Sequence, residues 1–204
     1  MHTIYTGRKV RLRPLKSKEE FTSLILSCDC EPNAHWGPGW FPALAATKGF
    51  DEHGKMEGVA GENSFVIERL DTGEAVGLEF CGTFFPGAIA GWFGTDIAPA
   101  HRGQGFGKEA KLLMLCFLFE NFPVHHIMSD TVADHWWARK GMEACGMNLL
   151  GRLTARLLRE GQFYDVVWYG IKRPVWEKLE VREYVRRGEH FARPGVGQVP
   201  TPTG

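Results

Sequence analysis

Apolar and polar residues alternate along Lys9–Leu15 (K-V-R-L-R-P-L), the pattern of a half-buried strand, with Pro14 at its end or edge. Ser17, with Glu20 three residues on, reads as a capping box that opens a helix running to about Cys28. Ser64–Leu70 and Glu74–Gly82 are predicted strands joined by a turn at Asp71-Thr72-Gly73, and Ala88–Ala98 is a third. Gly105–Asn121 is a predicted helix whose centre is apolar all round, which implies burial on both sides. A strand over Val124–Thr131 and a helix over Asp134–Cys145, stopped by Gly146, come next. Leu149–Leu158 and Gln162–Ile171 form a hairpin around Glu160-Gly161, and Trp176–Arg187 reads as a short amphipathic helix. This order predicts an α/β or α+β fold with a mixed sheet.

Between these elements, Glu31–Asn63 has no clear period but holds Trp36, Trp40, Phe41 and Phe50. Flexible linkers are poor in aromatics, so an ordered insertion is expected, with Trp36, Trp40 and Phe41 on the substrate side. Residues 1–190 read as one domain, and the Pro/Gly-rich stretch 191–204 as a flexible tail. The 24 basic and 24 acidic side chains cancel, which argues against nucleic-acid and anionic-membrane partners. The longest apolar run, Leu112–Phe119, is too short to span a bilayer, and no secretion-type apolar stretch follows the N-terminus. Five scattered cysteines fit a reduced, cytoplasmic protein. Cys28, Cys30 and His35 have no evident fourth ligand, so no metal is expected.

The most informative segment is Pro99-Ala100-His101-Arg102-Gly103-Gln104-Gly105-Phe106-Gly107-Lys108-Glu109-Ala110. Three alternate glycines follow a strand and open a buried helix, an arrangement that lets backbone N–H groups converge on phosphate. A P-loop is excluded, because Arg102 stands where its first Gly belongs and Glu109 where its Ser or Thr belongs. Gly105-x-Gly107-x-x-Ala110, with Asp130 beyond it, fits a dinucleotide fingerprint. Against that reading, Pro99–Gln104 separate the fingerprint from its strand, and the preceding strands look antiparallel.

Arg102-Gly103-Gln104-Gly105-Phe106-Gly107 also matches R-x-x-G-x-G, and here the chain resembles the GNAT superfamily of N-acetyltransferases. Ile97-Ala98-Pro99 before the loop resembles that family's strand and turn. Glu143 with Gly146-Met147, Phe163-Tyr164-Asp165 and Val167-Trp168-Tyr169 resemble the RimJ/RimL kind. The resemblance implies a GNAT-like splayed sheet with helices on both faces, and acetyl-CoA or another short acyl-CoA as the acyl donor. It places the pyrophosphate on amides of Gly103, Gly105, Phe106 and Gly107, with Gln104 in the same loop and Arg102 and Lys108 adding charge. Ile97 and Ala98 fall where the pantetheine arm pairs with the strand.

His135 stands where the RimJ/RimL kind usually has Asn, and Ala138 where it has Ser. The acid that precedes the glycine loop in relatives is absent, with Gly91 and Trp92 in that stretch. Asp96, Glu79, Asp130 and His135 are the candidate catalytic residues. Each has a plainer reading: Asp96 and Glu79 facing solvent, Asp130 accepting turn amides, and neighbouring Asp134 capping a helix. The function expected is transfer of an acetyl or short acyl group to a small-molecule or peptide amine, by direct attack on the thioester. A homodimer is compatible with it. The alternatives are a non-catalytic acyl-CoA-binding protein and a dinucleotide-binding oxidoreductase.

Overall fold

The computed structural model describes residues 4–29, 63–83, 90–159 and 161–188. Residues 30–62, with Trp36, Trp40 and Phe41, and the tail from 189 lie outside the described residues.

β2 (Val10–Pro14) forms on the alternating run, and a two-residue strand, β1 (Tyr5–Thr6), precedes it. α1 (Lys18–Asp29) carries half of the expected capping box: the Glu20 N–H donates to Ser17 Oγ at 3.2 Å. The Glu20 carboxylate does not return to the cap. It accepts from the Lys16 N–H at 2.8 Å and from the Arg13 guanidinium at 2.6 and 3.0 Å. A buried guanidinium is the stronger donor and redirects it.

β3 (Asn63–Arg69), β4 (Ala75–Thr83) and β5 (Ala90–Ile97) form the predicted antiparallel meander. α2 (Phe106–Asn121) follows, with Leu113–Phe119 at most 7% exposed, as its all-round apolar centre requires. Then come β6 (His126–Val132), α3 (Trp136–Glu143), β7 (Asn148–Arg159) and β8 (Gln162–Lys172). His135, not Asp134, is the N-cap of α3, and it makes no side-chain cap bond.

The C-terminal helix expected over Trp176–Arg187 is not continuous. The chain makes two single turns, α4 (Arg173–Trp176) and α5 (Val181–Tyr184), then β9 (Arg186–Arg187). Trp176 and Val181 are both buried. Five residues apart, they would lie about 140° apart around one helix, so the chain breaks to bring both onto the core. Trp176 stacks on Phe119 of α2 with ring centroids 5.0 Å apart.

Among the described residues nine strands form one sheet in the order β7-β8-β6-β5-β4-β3-β2-β1-β9. Among these described strands only the β5–β6 pair is parallel, and α2 supplies the crossover that such a pair needs. The larger core cluster lies between the sheet and α2, with Phe93, Ile127 and Tyr169 on that face. A second cluster lies on the opposite face, where Phe21, Leu24 and Ile25 of α1 cover Val66, Leu78 and Phe80. The result is a mixed, splayed sheet with helices on both faces.

Candidate active site

β5 and β6 are in register only at Ala90–Trp92 with His126–Met128. Beyond that point β5 stays on β4 through Ile97, while β6 stays on β8 through Val132. The sheet therefore divides into two halves with a gap between Phe93–Ile97 and Ser129–Val132. The Ala98 N–H donates to Val76 O of the β4 side at 3.0 Å. Antiparallel pairing alternates, so Phe93, Thr95 and Ile97 turn their N–H and C=O groups away from β4, toward the gap. A strand edge with unpaired amides is a template for another extended chain.

The gap ends at the glycine loop. After a single 3₁₀ turn over Pro99–His101, Gly103 and Gly105 adopt φ of +75° and +86°. Gly105 is the N-cap of α2, and no side chain caps the helix. Its first-turn N–H groups are thus open to an anion at the positive end of a 16-residue helix. A Cβ on Gly107 would stand 3.2 Å from Ile97 Cγ1, so glycine lets the helix start close against the end of β5. Arg102 turns back from the loop: its Nε donates to Ile97 O at 2.9 Å and its guanidinium to Cys28 O at 3.4 Å. Lys108 is exposed, and its carbonyl accepts from the Cys145 thiol. Gln104 Nε2 donates within the loop to Ala100 O at 3.3 Å.

The two faces of the gap differ chemically. Side chains alternate along each strand, and Thr95 and Ile97 meet α2, so Asp96 and Trp92 face the α1 side. On β6, Ile127 belongs to the α2 core, so Met128 and Asp130 also face the α1 side. Asp96 and Asp130 thus stand on the two strands that flank the gap, on one face. Asp130 is half-buried inside β6, rather than at a turn, and is paired in register with Trp168. Burial pushes its pKa up to about 6, opposed by the charge of Arg156.

Glu79 is on the other face. It pairs with Thr95, whose hydroxyl donates to Glu79 Oε1 at 2.8 Å, and it is fully buried under α2 instead of facing solvent. Burial raises its pKa to about 8, against the lowering effects of Lys111 and the Thr95 hydroxyl. Glu79 Oε2 has no hydrogen-bond partner among the described residues. His135 is half-buried, with Nδ1 3.1 Å from Thr131 Oγ1 beside the end of β6. Ala138 packs against the α2 core. Burial holds the thiols of Cys116 and Cys145 protonated, with pKa values near 12 and 11, which disfavours a covalent acyl-cysteine route. A cleft of about 350 Å³ beside the end of β6 is lined by Val132, Asp134, Arg152, Phe163, Tyr164 and Asp165. Among the described residues there is no cluster of potential metal ligands, and no helix is long and apolar enough to cross a membrane.

The family model described as the acetyltransferase (GNAT) domain matches residues 9–148. The chain belongs to the GNAT acetyltransferase family. Transfer of an acetyl group from acyl-CoA to an amine is the reaction of this family, and the dinucleotide and non-catalytic readings are set aside. The mostly antiparallel sheet agrees, since a dinucleotide fold needs a parallel one. Solved structures share the GNAT fold at low identity. A GNAT-family acetyltransferase from Bacillus anthracis is 15% identical with a TM-score of 0.69, covering 83% of this chain and 98% of its own. A chimera of Vibrio cholerae spermidine N-acetyltransferase SpeG and hSSAT is 20% identical with a TM-score of 0.72, covering 84% and 100%. Mycobacterium smegmatis RimJ in complex with CoA-disulfide is 20% identical with a TM-score of 0.67, covering 92% and 100%. No curated protein matches the chain.

Proposed function

We propose that this GNAT domain is of the RimJ/RimL kind and acetylates a weakly basic primary amine, such as a peptide N-terminus or an amino sugar. One observation carries the reading: the edge of β5 that turns the Phe93, Thr95 and Ile97 N–H groups to the gap runs into an uncapped glycine loop. An extended pantetheine arm pairs with that edge, and the pyrophosphate takes the amides of Gly103, Gly105, Phe106 and Gly107. A strand N–H of that edge near Ile97, turned into the gap, polarises the thioester carbonyl. The acceptor nitrogen attacks that carbon, the C–S bond breaks and CoA leaves as the thiol. We treat residues 1–190 as one acyltransferase domain, since strands from Tyr5 to Arg187 share one sheet.

Asp130 is the base this geometry favours, directly or through a water. It faces the α1 side of the gap, where the acceptor must approach if the acyl donor fills the gap beneath α2. Glu79 faces α2 and is sealed off. A carboxylate near pKa 6 accepts a proton from an α-amine near 7.8 with a deficit of about 2 units. From a lysine-like amine near 10.4 the deficit is over 4 units, or about 6 kcal/mol. That difference selects the α-amine.

The test is Asp130→Asn, with matched peptides that offer either an α- or an ε-amine. Turnover of the α-amine is expected to fall roughly 100-fold. The ratio of wild-type to variant activity should rise with pH through about 6 and then level, because only the ionised carboxylate acts. A flat ratio removes Asp130 from the mechanism, and equal turnover of both peptides removes the amine preference.

A further inference from the structure

Glu109 stands on the first turn of α2, beside the glycine loop, and is buried. Its carboxylate accepts three consecutive backbone N–H groups from the turn between β1 and β2: Arg8 at 2.9 Å, Lys9 at 2.6 Å and Val10 at 2.8 Å. A concave run of amides is an anion-binding nest, and here the anion is the protein's own. The fit is close, since a Cβ on Gly7 would come within 2.5 Å of the Glu109 carboxyl carbon.

The nest fixes where Lys9 goes. Its exposed side chain crosses to the start of α2, and its ammonium donates to Gln104 O at 2.9 Å. The same ammonium stands 3.3 Å from the position a Cβ on Gly105 would occupy. An ammonium has three donors. The bond to Gln104 O uses one, and no acidic partner engages Lys9 among the described residues. Arg102, one of the loop's two cations with the exposed Lys108, is instead turned onto the Ile97 and Cys28 carbonyls.

We propose that Lys9 is a pyrophosphate-binding residue of the acyl-CoA site, held on the glycine loop by Glu109; this rests on the coenzyme A reading above. The three amides satisfy the Glu109 carboxylate, which would otherwise oppose a phosphate at the same helix end. The cation left over the loop is a compact ammonium, which binds phosphate as a point charge without bidentate geometry. The glycine loop thus gains a positive side chain from a residue about 100 positions earlier in the chain.

Calorimetric titration of the full chain and its Lys9→Ala and Lys9→Arg variants, with CoA and with dephospho-CoA, tests this. Lys9→Ala should weaken both ligands alike, by about ten-fold, with Tm unchanged because the side chain is exposed. Lys9→Arg should keep most of the affinity. Undiminished binding by Lys9→Ala overturns the proposal. So does a loss seen with CoA but not with dephospho-CoA, which would move Lys9 to the 3′-phosphate. Failure of the wild-type chain to bind either ligand overturns the coenzyme A reading itself, and is told apart by that control.

Discussion

Gly105→Asp is expected to abolish acetyl-CoA binding, with affinity lowered at least about 100-fold, while the protein stays folded. Gly105 caps α2 in the left-handed region, with φ +86°. Asp tolerates that region better than most residues, at a strain of about 1 kcal/mol. An Asp N-cap returns only a few tenths of a kcal/mol over Gly by bonding first-turn amides, so Tm should fall by no more than about 3 °C. Those amides are the groups assigned to the pyrophosphate. The new side chain would also start 3.3 Å from the Lys9 ammonium and pair with it. An acid fixed in the cradle thus takes its donors and repels phosphate. Calorimetry with acetyl-CoA reads the effect, and an unchanged affinity with native Tm would remove the ligand from this loop.

Glu68→Ala should be strongly destabilising. Arg13 is 2% exposed and Glu68 1%, and Arg13 Nε donates to Glu68 Oε2 beneath α1. Arg11 reaches the same carboxylate from a partly exposed position. Removing Glu68 leaves the buried Arg13 guanidinium with Glu20 and the Pro14 carbonyl, at a cost of about 3–5 kcal/mol. For a chain of this size the expected loss is about 10 °C in Tm. The sign with pH follows from the same contacts. Burial alone would raise the Glu68 pKa, but bonds and charge from Arg13 and Arg11 outweigh it and hold it below the ordinary value. Its stabilisation is therefore present above the unfolded-state pKa near 4.3 and is lost as pH falls through the lower folded value. Thermal melts of wild type and Glu68→Ala should differ most at neutral pH and converge below about pH 4. A constant difference down to pH 2 would show that packing, not charge, sets the loss.

Much of this architecture is legible in local signals. The K-V-R-L-R-P-L alternation, the Asp71-Thr72-Gly73 turn and the apolar centre of Gly105–Asn121 each act over a few residues, and each element forms within two or three residues of its expected bounds. The glycine loop is legible for the same reason. What escapes is decided by register and by distant partners. Glu79 and Asp96 look equivalent as lone acids in strands. Only the pairing of Glu79 with Thr95, and of Leu78 with Asp96, puts them on opposite faces. Arg13 occupies a polar position in its strand, yet α1 folds over it and makes it a buried ion. Lys9 and Glu109 are 100 residues apart, and no local pattern links them. Trp176–Arg187 has amphipathic content, but its anchors at Trp176 and Val181 are spaced for two turns with a break between.

The central claim is acetyl transfer from acetyl-CoA to an amine. The direct test mixes the full chain with acetyl-CoA and a peptide whose α-amine is its sole amine. Free CoA thiol is followed with a thiol reagent and the peptide by mass spectrometry. The account predicts thiol release matched one-for-one by N-acetylated peptide, and neither product when acetyl-CoA or peptide is omitted. Bound acetyl-CoA with no acetylated product from any amine offered, or thiol release without acetylated peptide, would contradict it.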